Sequence, residues 1–104
     1  MSHESDPKHD DPRRALPTVF IDNERLRTTE WRFAPGAETG RHVHEMDYMV
    51  VPMLDGRLRI DTPDGQSHIA ELKAGVPYYR HAGIDHNVIN ANDYEFWFLE
   101  VELR

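Results

Sequence analysis

The chain of 104 residues carries 19 Asp and Glu against 12 Lys and Arg, with seven His, no Cys and a formal charge of −7. That length holds one hydrophobic core and not two, and the acidic balance speaks against nucleic acid or an anionic membrane as a partner. The absence of cysteine excludes disulfides, thiolate nucleophiles and Cys-type zinc sites. The longest apolar run, Met49 to Leu54, falls far short of a membrane-spanning helix, and the polar start does not read as a signal peptide, so the expectation is a cytoplasmic protein.

Residues 1–14 hold one hydrophobic residue, Met1, two prolines and a dense mixture of charges. Such a segment buries too little surface to offset its ordering entropy and is expected to be a disordered tail, with His3 and His9 solvated. From residue 15 a single domain is expected. Short apolar runs broken by turn residues predict strands over 18–22, 25–34, 41–45, 48–54, 57–62, 66–72, 77–80, 86–91 and 94–103. Asp55-Gly56 and Pro63-Asp64-Gly65 are hairpin turns among them. Nine short strands without a helix of normal length predict an all-β antiparallel sandwich or closed barrel.

Alternation adds detail. Leu58 and Ile60 share one face of their strand, opposite Arg57, Arg59 and Asp61. In the last strand Trp97, Leu99, Val101 and Leu103 form one face, and Phe96 and Phe98 form the other, followed by Glu100 and Glu102. A strand apolar on both sides predicts either contact with a second subunit or cover by the N-terminal strand.

Five histidines fall in the folded part: His42, His44, His68, His81 and His86. His42 and His44, two apart in a strand, leave the same face and can converge on one ion. A third imidazole from a neighbouring strand is needed to complete the set.

The surroundings of this pair resemble the cupin family, whose first motif reads G-x5-H-x-H-x3-4-E-x6-G and whose second reads G-x5-P-x-G-x2-H-x3-N. Gly36, His42, His44 and Gly56 fit the first motif, and Gly75, Gly83, His86 and Asn90 fit the second, with His81 where the proline usually stands. Eight of the ten fixed positions match, over Gly36 to Asn90. The stretch His42 to Gly56 looks like small bacterial cupins found beside genes of β-alanine or other amino-acid catabolism. The resemblance implies a cupin-type jelly-roll barrel of two antiparallel sheets and a homodimer. It also implies His42, His44 and His86 as ligands of one divalent transition metal: imidazoles suit Fe, Ni, Zn, Mn or Cu and do not name the ion.

The motif glutamate is missing. Counting from His44 puts its position at Tyr48, and counting back from Gly56 puts it at Met49. Glu45 and Asp47 lie nearby, and whether either replaces it is open. The expected site is therefore three histidines with open positions for a bidentate substrate and dioxygen or water. Tyr48, Tyr79 and Arg80 are candidates for the pocket mouth, Arg80 because guanidinium pairs with carboxylates. His81 is a candidate proton shuttle, and Asn90 fixes the strand end after His86. Among catalytic candidates the sequence offers Tyr48, His81 and Arg80. The expected function is metal-dependent chemistry on a small anionic organic molecule, either oxygen-dependent cleavage or lyase or isomerase chemistry. The alternative is a non-enzymatic binding or sensing module, since fold does not fix function.

Overall fold

The computed structural model describes residues 11–104. Its nine strands are β1 (Leu16–Asp22), β2 (Leu26–Phe33), β3 (His42–Val43), β4 (Tyr48–Pro52), β5 (Gly56–Asp61), β6 (Ser67–Leu72), β7 (Tyr78–Arg80), β8 (Asp85–Asn90) and β9 (Phe96–Leu103), with no helix among the described residues. They form a five-stranded antiparallel sheet, β1-β2-β9-β4-β7, and a four-stranded one, β3-β8-β5-β6. This is the expected all-β architecture of two antiparallel sheets.

The alternation in the sequence becomes the division between core and solvent. In β5, Leu58 points inward and is buried while Arg57 and Arg59 are exposed. In β4, Tyr48, Val50 and Pro52 are buried and Met49 and Val51 lie on the outer face. In β9, Phe96, Phe98, Glu100 and Glu102 are all buried, and Trp97, Leu99 and Val101 turn outward. Phe96 and Phe98 do not lie under the N-terminal strand: β9 sits between β2 and β4, so its inner face meets the interior of the molecule. There Phe33, opposite Phe96 in register, packs on Phe98 with ring centroids 5.5 Å apart. Phe33, Leu58, Phe96 and Phe98 form the heart of the core with Val50 and Val88. Burying a side chain of this size is worth about 1.5–3 kcal/mol.

Gly56 opens β5 for a steric reason: a Cβ there would stand 2.7 Å from the Phe96 ring and 3.0 Å from the Asn92 amide. Gly83 has φ +97° in the loop before β8, a backbone conformation that other residues rarely adopt. Asn90 is buried and donates from Nδ2 to the carbonyls of Phe33, Ala34 and Tyr94, so it ties the end of β8 to two other segments.

Of the expected tail, residues 1–10, with His3 and His9, lie outside the described residues. Residues 11–14 differ from expectation. Arg14 forms a parallel bridge with Glu38, Glu38 N donates to Arg13 O at 2.8 Å, and Ala15 is buried. The composition of the segment gave no sign of this, because the attachment runs through its backbone.

Candidate metal centre

Antiparallel pairing of β3 with β8 sets His42 opposite His86. His44 follows β3, and its backbone is clamped to the loop before β8 by His44 N donating to Ile84 O at 2.9 Å and Gly83 N donating to His44 O at 2.7 Å. The three side chains therefore meet. His42 Nε2 lies 3.0 Å from His44 Nε2, which lies 3.2 Å from His86 Nε2. The ring planes stand at 78°, 70° and 83° to one another. Donors at adjacent positions of an octahedral ion, with bonds of about 2.1 Å, stand about 3 Å apart, which is the spacing of His44 from each of the other two rings.

The hydrogen bonds around His42 decide its tautomer. Its Nδ1 lies 2.8 Å from the Gly40 carbonyl, which can only accept, so Nδ1 carries the proton and Nε2 presents a lone pair to the other two rings. Thr39 Oγ1, 3.3 Å from the same Nδ1, is itself held by Val88 N and Gly40 O. His44 stacks on Tyr48 with centroids 3.9 Å apart. Burial, reinforced by the neighbouring His42 and His86, lowers the His44 pKa to about 3. Burial, followed by His42, lowers that of His86 to about 4 against the opposing pull of Asp85. Neutral rings crowded nitrogen to nitrogen suit a cation among them, and the donor set fits a divalent transition metal.

The three rings line a cavity of about 790 Å³ between the sheets. Tyr48 and Arg80, both expected near the site, line it, Arg80 with its guanidinium 4.6 Å above the Tyr78 ring. Burial raises the Tyr78 hydroxyl pKa to about 12 and also raises that of Tyr48. His81 is not brought in. It is exposed on the loop after β7, edge-on to Tyr79 and 3.9 Å from Asp47. Tyr79 likewise faces outward and donates its hydroxyl to Asp47. Neither Glu45 nor Asp47 is brought together with the three rings. Glu45 is exposed, and Asp47 accepts from Tyr79 and from Ala82 N, which hold its pKa below the usual carboxylate range. Of the two positions counted for the motif glutamate, Tyr48 points inward and Met49 outward.

Four cavity residues were not singled out as site residues from the sequence. Glu100 and Glu102 face the cavity from β9, and Arg27 and Trp31 from β2. Arg27 pairs with Glu102 at 2.8 Å. Glu100 accepts from Trp31 Nε1 at 3.3 Å and lies 3.9 Å from His44 Nε2. Burial, with the adjacent Glu102, raises the Glu100 pKa to about 7. The sharing of a face with Phe96 and Phe98 was the signal for the two carboxylates. His68 lines the cavity from β6 and is exposed there.

Comparisons with known proteins agree with the fold. Residues 29–102 match the model of the cupin domain family. The β-alanine degradation protein BauB of Pseudomonas aeruginosa is 56% identical over 91 residues, which are 88% of this chain and 95% of that protein. A solved cupin domain from Bordetella pertussis superposes with a TM-score of 0.84 at 56% identity, covering 88% of this chain and 94% of that one. A double-stranded β-helix domain protein from Klebsiella pneumoniae shares the fold at TM-score 0.71 and 22% identity, over 86% of this chain and 76% of that one.

Proposed function

This chain belongs to the cupin family, and from that premise we propose that it is a metal-dependent enzyme acting on a small anionic organic molecule. One divalent transition ion is held by His42, His44 and His86. The observation that carries this reading is the convergence of three imidazole Nε2 atoms on a cavity wall, with Gly40 obliging His42 to present its lone pair. When bound, the ion supplies Lewis acidity toward substrate oxygens and, if it is iron, dioxygen chemistry; nickel, zinc and manganese suit the same nitrogens and lead to lyase or isomerase chemistry.

The chain's own residues bind and orient. Arg80 offers a guanidinium to a substrate carboxylate at the cavity wall. It neighbours Tyr48 on β7, while Glu102 neighbours Tyr48 on the other side, on β9. An anionic end is therefore drawn toward β7. Trp31, Tyr78 and Phe98 line the same space and exclude water from it. The name of the Pseudomonas relative supports a small carboxylate as the substrate class. In this reading the protein works in the cytoplasm as a homodimer.

Elemental analysis of untagged protein tests the proposal, with His42→Ala and His86→Ala as controls. Near-stoichiometric metal in the wild type and most of it lost in the variants is the expected result, because two imidazoles hold an ion poorly. Iron directs the next assay to oxygen consumption, and nickel, zinc or manganese to lyase and isomerase screens. Undiminished metal in His86→Ala would overturn the ligand assignment. The largely apolar, aromatic cavity lining favours a second reading, non-enzymatic binding of a small molecule. A ligand bound in the cavity with no turnover under any of these metals decides for it.

A further inference from the structure

The strand pairings lay the charged side chains of the cavity in two rows across the larger sheet. One row runs Arg27, Glu102, Tyr48 and Arg80, and in the next Glu100 and Tyr78 flank Val50. Arg27 engages Glu102 through both Nε and Nη2 at 2.8 Å, so these two charges cancel. Arg80 and Glu100 are left over. Arg80 donates to the Tyr79 carbonyl at 2.9 Å, and among the described residues it has no carboxylate within 4.0 Å. Glu100 is 8% exposed. Its Oε1 accepts from Trp31 Nε1 at 3.3 Å and its Oε2 lies 3.9 Å from His44 Nε2. Among the described residues no Lys or Arg side chain lies within 4.0 Å of either oxygen.

The metal centre does not account for Glu100. Its carboxylate groups with His44 and Glu102 and not with His42 and His86, farther from at least one of those two than donors of a single ion can stand. A buried carboxylate without a cation is costly. Its surroundings are aromatic: Trp31 holds one oxygen, Phe98 stands two residues earlier on β9, and Tyr78 lies beyond Val50, all lining the cavity. A carboxylate set among aromatic faces suits an ammonium group. The ammonium gains a charge-assisted hydrogen bond from the carboxylate and cation–π attraction from the rings.

We propose that Glu100 receives an ammonium group of the substrate, so that the small acid taken up by the cavity is an amino carboxylate. The inference rests on the reading above of the cavity as a site for a small carboxylate. Arg80 takes the carboxylate end and Glu100 the amino end. Arg80 stands on β7 and Glu100 on β9, with β4 between them. Two strand spacings amount to about 10 Å between backbones, so the two groups they hold lie at opposite ends of a short chain and not on one carbon.

Titration calorimetry on the untagged, Zn2+-loaded protein tests this, with β-alanine set against propionate and γ-aminobutyrate against butyrate. In at least one pair the amino acid should bind at least about tenfold more tightly than the plain acid, because the analogue without the amino group leaves a buried carboxylate unpaired. In Glu100→Gln that preference should shrink to about twofold or less, with little change for the plain acids. Equal affinities within both pairs in the wild type, or tighter binding of the plain acids, would overturn the ammonium site and leave the carboxylate reading standing. A preference that survives in Glu100→Gln would also overturn it. A wild type that binds none of the four at millimolar concentration would overturn both readings. Thermal melting checks the fold of the variant. If Glu100→Gln does not fold, a crystal structure of the wild type with γ-aminobutyrate decides: the amino nitrogen is expected within hydrogen-bond distance of Glu100, and a nitrogen placed elsewhere would overturn the proposal.

Discussion

The Gly40 carbonyl fixes the proton of His42, and burial fixes the charge of the other two rings. His44 and His86, with pKa values lowered to about 3 and about 4, stay neutral where an exposed imidazole would already be charged. In the metal-free protein this makes stability depend on pH. The unfolded chain takes up a proton on each of the two as pH falls through about 6.5, and the folded chain refuses them until about 4 and about 3. Their contribution is therefore present above pH 6.5 and drains as pH falls. Glu100 has the opposite sign. Its pKa is raised to about 7, so the folded state keeps a proton that the unfolded state releases above about 4.5, and its contribution is lost as pH rises through that window. Two histidines outweigh one carboxyl, leaving a net uptake of about one proton on unfolding, or at most about 1.4 kcal/mol per pH unit. Thermal melts in chelator at pH 5, 6 and 7 should show a melting temperature that falls with acidification. The fall should be steeper in Glu100→Gln and shallower in His86→Ala. A melting temperature that is level or higher at pH 5 would contradict this account.

At the scale of elements, the segment from Glu38 to Gly40 links the chain's early residues to the site. Arg13 O accepts from Glu38 N, Asn87 donates to the Glu38 carboxylate, and Thr39 and Gly40 both touch the His42 ring. The Arg14 guanidinium packs over Gly40, its Nη1 3.2 Å from where a Cβ would sit. Deleting residues 1–14 removes the Arg13 acceptor and this packing. The expected loss is roughly 1–2 kcal/mol, on the order of 5–10 °C for a domain of this size, read by calorimetry. A deletion that melts with the full chain would show that the attachment carries no stability. The same segment marks the limit of what the sequence discloses. Strand number, turns and the division of β5 and β9 into two faces followed from alternation and glycine. The meeting of His42, His44 and His86 was legible because two spaced motifs carried it. The placement of Arg13 and Arg14 rests on backbone bonds that composition does not encode. The pairing of Arg27 with Glu102 and of Trp31 with Glu100 depends on the register of β2 against β9, 69 and 75 residues away in the chain. His81 stands in the motif at a turn, and here that turn faces solvent, which its place in the chain did not disclose.

For the molecule as a whole, the cavity is enclosed by the inner faces of both sheets, and the outer face of the larger sheet is left with an apolar stripe. Leu26 lies opposite Leu103, Val101 opposite Met49, and Leu99 opposite Val51, so the stripe runs across β2, β9 and β4. Leu103 is 43% exposed and the others are only partly covered. Beside it, Arg32 is paired with Glu30 and lies over the Trp97 ring at 4.4 Å, so the border carries no unbalanced charge that would repel a copy of itself. A two-fold axis through β9 would lay the stripe on its own image, an arrangement in which each chain covers the other's Leu99 and Val101. The proposed homodimer uses this face and leaves both metal centres, which face the interior, untouched. Light scattering on the eluted protein should then give about 24 kDa, twice the 12.2 kDa chain. A double variant, Leu99→Lys with Val101→Lys, should elute at the mass of one chain and keep its metal, because the change sets like charges against each other across the axis. A wild type of single-chain mass at micromolar concentration, or a double variant that stays dimeric, would show that this face is not the one used.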